Sequence, residues 1–229
     1  MMHTARIIPR VLVFLTALAL SGSLLVSPGR EAAAQVGVGQ CPIDPGVALL
    51  WDIAHSLYNG TPMTPPSLPL PGTNWVLYSH PYVPLLSFLH PPDWTPHTIA
   101  EGSSTIGVDL IRADSAAVWQ YLMTPENQGA TARQWTEGLL RTTLGVTPQD
   151  PVQVLCESDL PPVGIYQDTA LLVVSVDSFL ALGMASIASD GLSTFVLYRG
   201  FIGRTQEFTQ LTSEVFLPIE WQLLIDPPD

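Results

Sequence analysis

His80, His90, Asp93 and His97 fall within eighteen residues of one another. Imidazole and carboxylate are common ligands of divalent transition metals. The spacing matches no metal-binding motif, and all four residues stand beside or near prolines, where the chain reads as turn or loop. Loop histidines serve equally well as solvated groups, so no metal ligand is assigned. Glu101 adds a second carboxylate to the stretch. Two acids about 5–9 Å apart could flank a glycosidic bond, but nothing around Asp93 and Glu101 supports that pairing.

Other chemistries are harder to place. Gly102-Ser103-Ser104-Thr105-Ile106 approaches a serine-nucleophile turn, yet such a turn needs glycine two residues after its serine. Thr105 or Ile106 stands there instead. The sequence has no phosphate-cradling glycine loop, no C-x-x-C, no H-E-x-x-H and no calcium-loop signature. No catalytic residue and no cofactor is assigned.

These groups must be positioned by the segments around them. Trp75–Tyr78 and Leu85–Leu89 are two apolar runs separated by a proline-bearing turn, and they predict a pair of strands. The pair offers a sheet for later apolar segments to pack on. The second run meets Pro91-Pro92, and a loop then brings Trp94 onto the sheet. Ile106–Ile111 predicts a third strand. After Asp114 or Ser115 as cap, Val118, Trp119 and Leu122 predict a short helix that closes near Pro125. Thr131–Leu144 predicts a longer helix, with Trp135, Leu139, Leu140 and Leu144 on one face and Gly145 as its stop. Val152–Leu155, with Cys156 at its end, then Ala170–Val176, Phe179–Ala188 and Leu192–Phe201 predict strands. Asp190-Gly191 marks a hairpin turn. Asp177 and three serines weigh against Ala170–Ala188 as a membrane span. From Thr205, the spacing of Phe208, Leu211 and Val215 predicts a helix that Pro218 kinks or restarts. Ile219, Trp221 and Leu223 could also alternate as a strand, but helix is the preferred reading.

The amino-terminal part reads differently. Arg6 and Arg10 precede a mostly apolar run of 16 residues, Val11–Val26, and Ala32-Ala33-Ala34 stands before Gln35. That is the pattern of a cleaved signal peptide. The run is short of the about 20 residues of a membrane span, although a retained amino-terminal anchor stays open. Gln40 precedes Cys41 where a lipidated cysteine would want a small residue. Residues 1–34 are therefore expected to be a signal peptide. Residues 35–72 are expected to carry a helix, running from Asp44-Pro45-Gly46 to Asn59-Gly60, and a Pro-rich connector. Residues 73–229 are expected to form one α+β domain. The connector has five prolines in the twelve residues Thr61–Gly72, which suits an extended spacer.

Charge and cysteine content narrow the setting. The whole chain carries a formal charge of −12, with no lysine. Without residues 1–34 it would hold 5 arginines against 19 carboxylates, or −14. Such a surface repels nucleic acid, so no nucleic-acid partner is expected, nor a membrane span after signal cleavage. Cys41 and Cys156 are an even pair in a chain expected to be exported, and they are candidates for a disulfide. Two buried free thiols are the alternative.

The order of strand, strand ending at Leu89-His90-Pro91-Pro92-Asp93-Trp94, strand, helix, strand, paired strands and helix resembles the PsbP-like α+β family. Members often show an aromatic-rich strand running into a Tyr-Pro-x-Gly-Trp-like element; Asp93 stands where glycine is common. The resemblance covers roughly Trp75 to Leu224. It implies an antiparallel sheet packed by helices, a tryptophan, here Trp94, that closes one end of the sheet, and an extracytoplasmic accessory or binding role more often than an enzymatic one. It carries over no catalytic residues.

Two functional readings result. The first is an exported, non-catalytic binding or accessory domain with an unidentified protein or small-molecule partner. Its site is expected on the loop after the second strand, with His90, Asp93, Trp94 and His97 as candidate binding residues. The second is a metal-assisted or carboxylate-dependent hydrolase built on the stretch His80–Glu101.

Overall fold

A computed structural model describes residues 70–100, 104–126, 129–162, 164–189 and 191–225. The expected signal peptide, amino-terminal helix, Cys41 and all but the last residues of the Pro-rich connector lie outside the described residues.

The two runs around Tyr82 form a hairpin, β1 (Val76–His80) and β2 (Val83–His90), paired antiparallel from Val76↔His90 to His80↔Val83. His80 closes its turn: Nδ1 accepts the backbone N–H groups of Tyr82 and Val83 at 3.2 and 3.1 Å. This hairpin is not the sheet on which the other segments pack. It is a separate two-stranded layer, and its inward residues Tyr78, Leu86 and Phe88 pack onto a larger sheet.

That larger sheet has seven strands, all antiparallel: β3 (Trp94–Ile99), β4 (Ile106–Arg112), β5 (Ala117–Pro125), β6 (Gln153–Leu160), β7 (Tyr166–Val176), β8 (Phe179–Ser189) and β9 (Thr194–Arg204). Their order across the sheet is β3-β4-β5-β9-β8-β7-β6. Two sequence expectations fail here. Residues 94–99, read as loop, form edge strand β3. As an edge strand it accommodates Pro96, because one row of its N–H groups has no ladder to serve. Val118, Trp119 and Leu122 were expected on a helix and lie instead on central strand β5. Asp114 does accept a nearby N–H, that of Ala116 at 3.0 Å, while Ser115 N–H bonds the Arg112 carbonyl at 2.7 Å and Ser115 takes a φ of 56°. The capping chemistry therefore closes a hairpin turn rather than opening a helix. With both faces of β5 covered, alternation is hidden: Trp119 packs on one side and Leu122 on the other.

Helix α1 (Ala132–Leu144) forms as expected. Thr131 and Gln134 make a reciprocal capping box, and Gly145 ends the helix at φ 68°. Leu140 and Leu144 pack on Leu172, Val174, Ala181 and Ile202. Gly183 lies directly beneath Leu140; a Cβ there would come within 2.7 Å of its Cγ.

The opposite face of the sheet is covered by the hairpin and the carboxyl-terminal helix. The latter runs as α2 (Phe208–Leu211), a wider π-helical turn (Thr212–Phe216) and α3 (Leu217–Ile225). Pro218 cannot donate to a carbonyl four residues back. The widened turn stands immediately before it, where Leu217 N–H reaches the Thr212 carbonyl, and the chain stays helical through Ile219, Trp221 and Leu223. Phe88, Trp119, Phe201, Phe208 and Phe216 form the buried centre of this layer. The class is α+β. No helix of the described residues is long and apolar enough to cross a membrane.

Candidate functional site

The corner between β2 and β3 is built by Pro91-Pro92. Prolines there end the β2 ladder, and the backbone turns back through Trp94 N–H to the Pro91 carbonyl at 3.1 Å. Trp94 is thereby pressed under the carboxyl-terminal helix, 3% exposed and stacked on Phe201 at 6.3 Å between ring centres. It closes this end of the sheet.

Beside it lies an open groove of about 510 Å³. Leu70, Gly72 and Trp75 enter from the approach to β1, and Pro91, Asp93 and Trp94 from the β2–β3 corner. Arg112 comes from the end of β4. Leu211, Ser213, Glu214, Val215 and Pro218 come from the carboxyl-terminal helix. Three of these residues belong to the π-helical turn, a distortion often found at functional sites.

Arg112 is the charged anchor of the groove. Its Nε and Nη2 donate to the two carboxylate oxygens of Asp114 at 2.7 and 2.9 Å. Its Nη1 and Nη2 donate to Glu207 at 3.1 and 2.7 Å. These bonds hold the guanidinium charged: first Glu207, then Asp114, push its pKa upward. In return Arg112 pulls the Asp114 and Glu207 carboxyls below the usual range. All three groups are fixed in their ionised forms, and the doubly forked geometry locks the planar guanidinium.

The four candidate binding residues do not converge. Asp93 and Trp94 meet in the groove. His90 is buried at the end of β2, with Nδ1 bonded to the Pro91 carbonyl at 2.8 Å, and so braces the groove's rim from behind. His97 is three residues beyond Trp94 along β3, so it faces the other side of the sheet. His80 is 2% exposed and serves the hairpin turn. Glu101 lies outside the described residues. Among the described residues no three His, Cys, Asp or Glu side chains gather to hold a metal ion.

Two buried polar sites escaped the sequence reading. On the α1 face, Asp109 is paired in register with His97 and is 5% exposed. Gln120 Nε2 donates to it at 2.6 Å, and Thr143 Oγ1 donates to Gln120 Oε1 at 2.9 Å. Burial pushes the Asp109 carboxyl up to about 6, against lowering by the Gln120 bond and by His97. On the opposite face, Glu220 accepts from Trp119 Nε1 at 2.9 Å, and Arg199 Nη1 lies 3.1 Å from its other oxygen. Burial raises the Glu220 pKa, opposed by Arg199 and Trp119. The strand pattern around Asp109 gives no sign of this burial, which involves Gln120 on β5 and, through it, Thr143 on α1.

No family model and no curated protein matches the chain. Among solved structures it is similar to LpqN, involved in cell envelope biogenesis of Mycobacterium tuberculosis. The identity is 13%, over 57% of this chain and 78% of that one, with a TM-score of 0.34. It is also similar to the Saccharomyces cerevisiae Ran-binding protein Mog1p. Here the identity is 10%, over 68% of this chain and 93% of that one, with a TM-score of 0.39. Neither likeness bears on what this chain binds.

Proposed function

We propose that the chain is an exported, non-catalytic binding or accessory domain of the PsbP-like kind, and that the groove beside Trp94 is its binding site. The position of Trp94 at the end of the sheet supports the family reading. Arg6, Arg10, the apolar run and Ala32-Ala33-Ala34 support export. The observation that carries the binding reading is the state of Arg112, Asp114 and Glu207. A group that moves a proton works best with a pKa near the operating pH. Here the charges at the groove are driven away from that range by one another, which suits fixed recognition of a ligand.

The test places a photoreactive amino acid at Ser213, in the groove, and at Gly138, exposed on the far face of α1 with open space around it. The protein is expressed at full length in an exporting host and irradiated. A specific adduct from Ser213 in the extracytoplasmic fraction, absent from Gly138, is expected. Equal adducts from both positions, or retention of the protein in the cytoplasm with Met1 intact, overturn the proposal.

A further inference from the structure

The sheet face beneath the hairpin extends further than the elements described over it. One row across that face runs in register from β4 to β6: Leu110↔Trp119↔Phe201↔Leu182↔Val173↔Cys156. The hairpin covers the start of the row, with Phe88 4.9 Å from Trp119 between ring centres. The carboxyl-terminal helix lies over β5 and β9. There Glu220 meets Trp119 and Arg199, and Phe216 packs 5.7 Å from Phe201. A helix reaches about 5–6 Å to either side of its axis, and neighbouring strands are about 4.8 Å apart. Val173 lies two strands beyond Phe201, and Cys156 three. They therefore stand roughly 10 and 14 Å from it, past that helix.

These residues are nevertheless buried. Val173 is 0% exposed, Leu171 2% and Cys156 3%. Helix α1 does not account for this, because it covers Leu172 and Val174 on the other face. A strand that is apolar at every position from Ala170 to Val174 needs cover on both sides. Outside the described residues the chain has one long stretch, residues 1–69. The others are 101–103, 127–128, 163, 190 and 226–229, none longer than about one helical turn.

The helix expected between Asp44 and Gly60 fits the uncovered strip. Val47, Leu50, Trp51, Ala54, Leu57 and Tyr58 give it one apolar face. From Pro45 to Asn59 it would be about 22 Å long. Cys41 stands just before Asp44, and Cys156 ends the row on β6, so a bridge between them would start the helix beside that strand. The ten residues Thr61–Leu70 span about 31 Å when extended. Leu70 lies in the groove with Trp94 of β3, and β3 is five strands from β7, a distance of about 24 Å. The connector is thus long enough to join the two places. A second copy of this chain as the cover is disfavoured by a formal charge of −12 on each.

We propose that residues 44–60 form a helix that packs Leu50, Trp51 and Leu57 on Leu171, Val173 and Cys156 and closes the sheet over β6 and β7. The folded domain then begins near Cys41, and the expected boundary at residue 73 falls inside it.

The test uses the full-length chain from an exporting host, with leucine and valine methyl groups and tryptophan rings isotopically labelled. Trp51 is assigned by its loss in Trp51→Ala. Nuclear Overhauser contacts from the Trp51 ring to the methyl groups of Leu171 and Val173 are expected. Trp51→Ala is expected to shift those methyl resonances and to leave Leu172 and Val174, under α1, in place. Contacts from Leu171 and Val173 to residues 1–34 instead would name another cover and overturn the proposal. Contacts seen only between differently labelled copies would identify a second copy and overturn it too. The proposal also fails if these methyl groups contact nothing beyond the described sheet and helices, or if Trp51→Ala shifts both faces of β7 alike.

Discussion

Gln222 bonds both backbone groups of Leu89. Its Oε1 accepts the Leu89 N–H at 2.7 Å, and its Nε2 donates to the Leu89 carbonyl at 3.1 Å. A side-chain amide on α3 thus takes the place of a neighbouring strand at the edge of β2, and this ties the hairpin to the carboxyl-terminal helix on which the groove is built. Gln222→Leu should leave a part-buried N–H and carbonyl without partners, at a cost of about 1–3 kcal/mol. Urea denaturation should show a lower midpoint with an unchanged slope. An unchanged midpoint would mean that water replaces the amide without loss.

The fork around Arg112 should be sensitive to geometry as well as charge. Arg112→Lys keeps the charge but cannot make two bidentate contacts. It should lose any ligand that binds in the groove while destabilising the fold only slightly, by about 0–1 kcal/mol, because Asp114 and Glu207 are partly exposed. Stability from thermal unfolding and binding from the Trp75 and Trp94 indole N–H resonances should therefore part company in this variant. A loss of stability matching the loss of binding would make Arg112 a structural residue alone.

Asp109 gives a pH dependence of defined sign. Its carboxyl is raised to about 6 in the folded chain from 3.8, so folding favours the protonated form. The stability linked to this group is fully present below about pH 4 and is lost as the pH rises through about 6, an effect of about 3 kcal/mol. Asp114 and Glu207 act oppositely: their pKa values are lowered, and what they contribute is lost on acidification. Asp109→Asn should keep an acceptor for Gln120 and flatten the stability profile between pH 4 and 6. A variant with the same slope as the parent would place the titration elsewhere.

Much of this fold could be read before any coordinates, and the reasons are local. The helix at Ala132–Leu144 announces itself through the three- and four-residue spacing of Trp135, Leu139, Leu140 and Leu144 and the stop at Gly145, signals that act on their own neighbours. The hairpin of β8 and β9, which Asp190-Gly191 signals in the sequence, does so too. Strand β5 was missed because Asp114 serves a turn and a helix cap with the same hydrogen bond, and because a strand buried on both faces loses its alternation. The groove was half legible. Pro91-Pro92-Asp93-Trp94 marks a corner in any reading, whereas Arg112, Ser213 and Glu214 join it only through strand pairing and helix packing across the chain. His97 shows the opposite error: close to Trp94 in sequence, it is sent to the other face by the two-residue period of a strand.

Cys156 is buried in β6 at 3% exposure, while Cys41 lies outside the described residues. A bridge between them would close a loop of about 115 residues and contribute about 4–5 kcal/mol in the chain-entropy model. Intact mass spectrometry of protein from an oxidising compartment should show no alkylated thiol until reductant is added. Two thiols that alkylate without reduction would refute the pairing.

The central claim is that the groove beside Trp94 binds a ligand, and the indole N–H resonances of Trp75 and Trp94 report on it most directly. A mixed library of small apolar, cationic and anionic fragments, titrated into the full-length chain, should yield hits that move these two resonances together. The same hits should lose their effect in Arg112→Lys. Fragments that bind only at other tryptophans, with Trp75 and Trp94 unmoved throughout, would contradict a binding site in this groove.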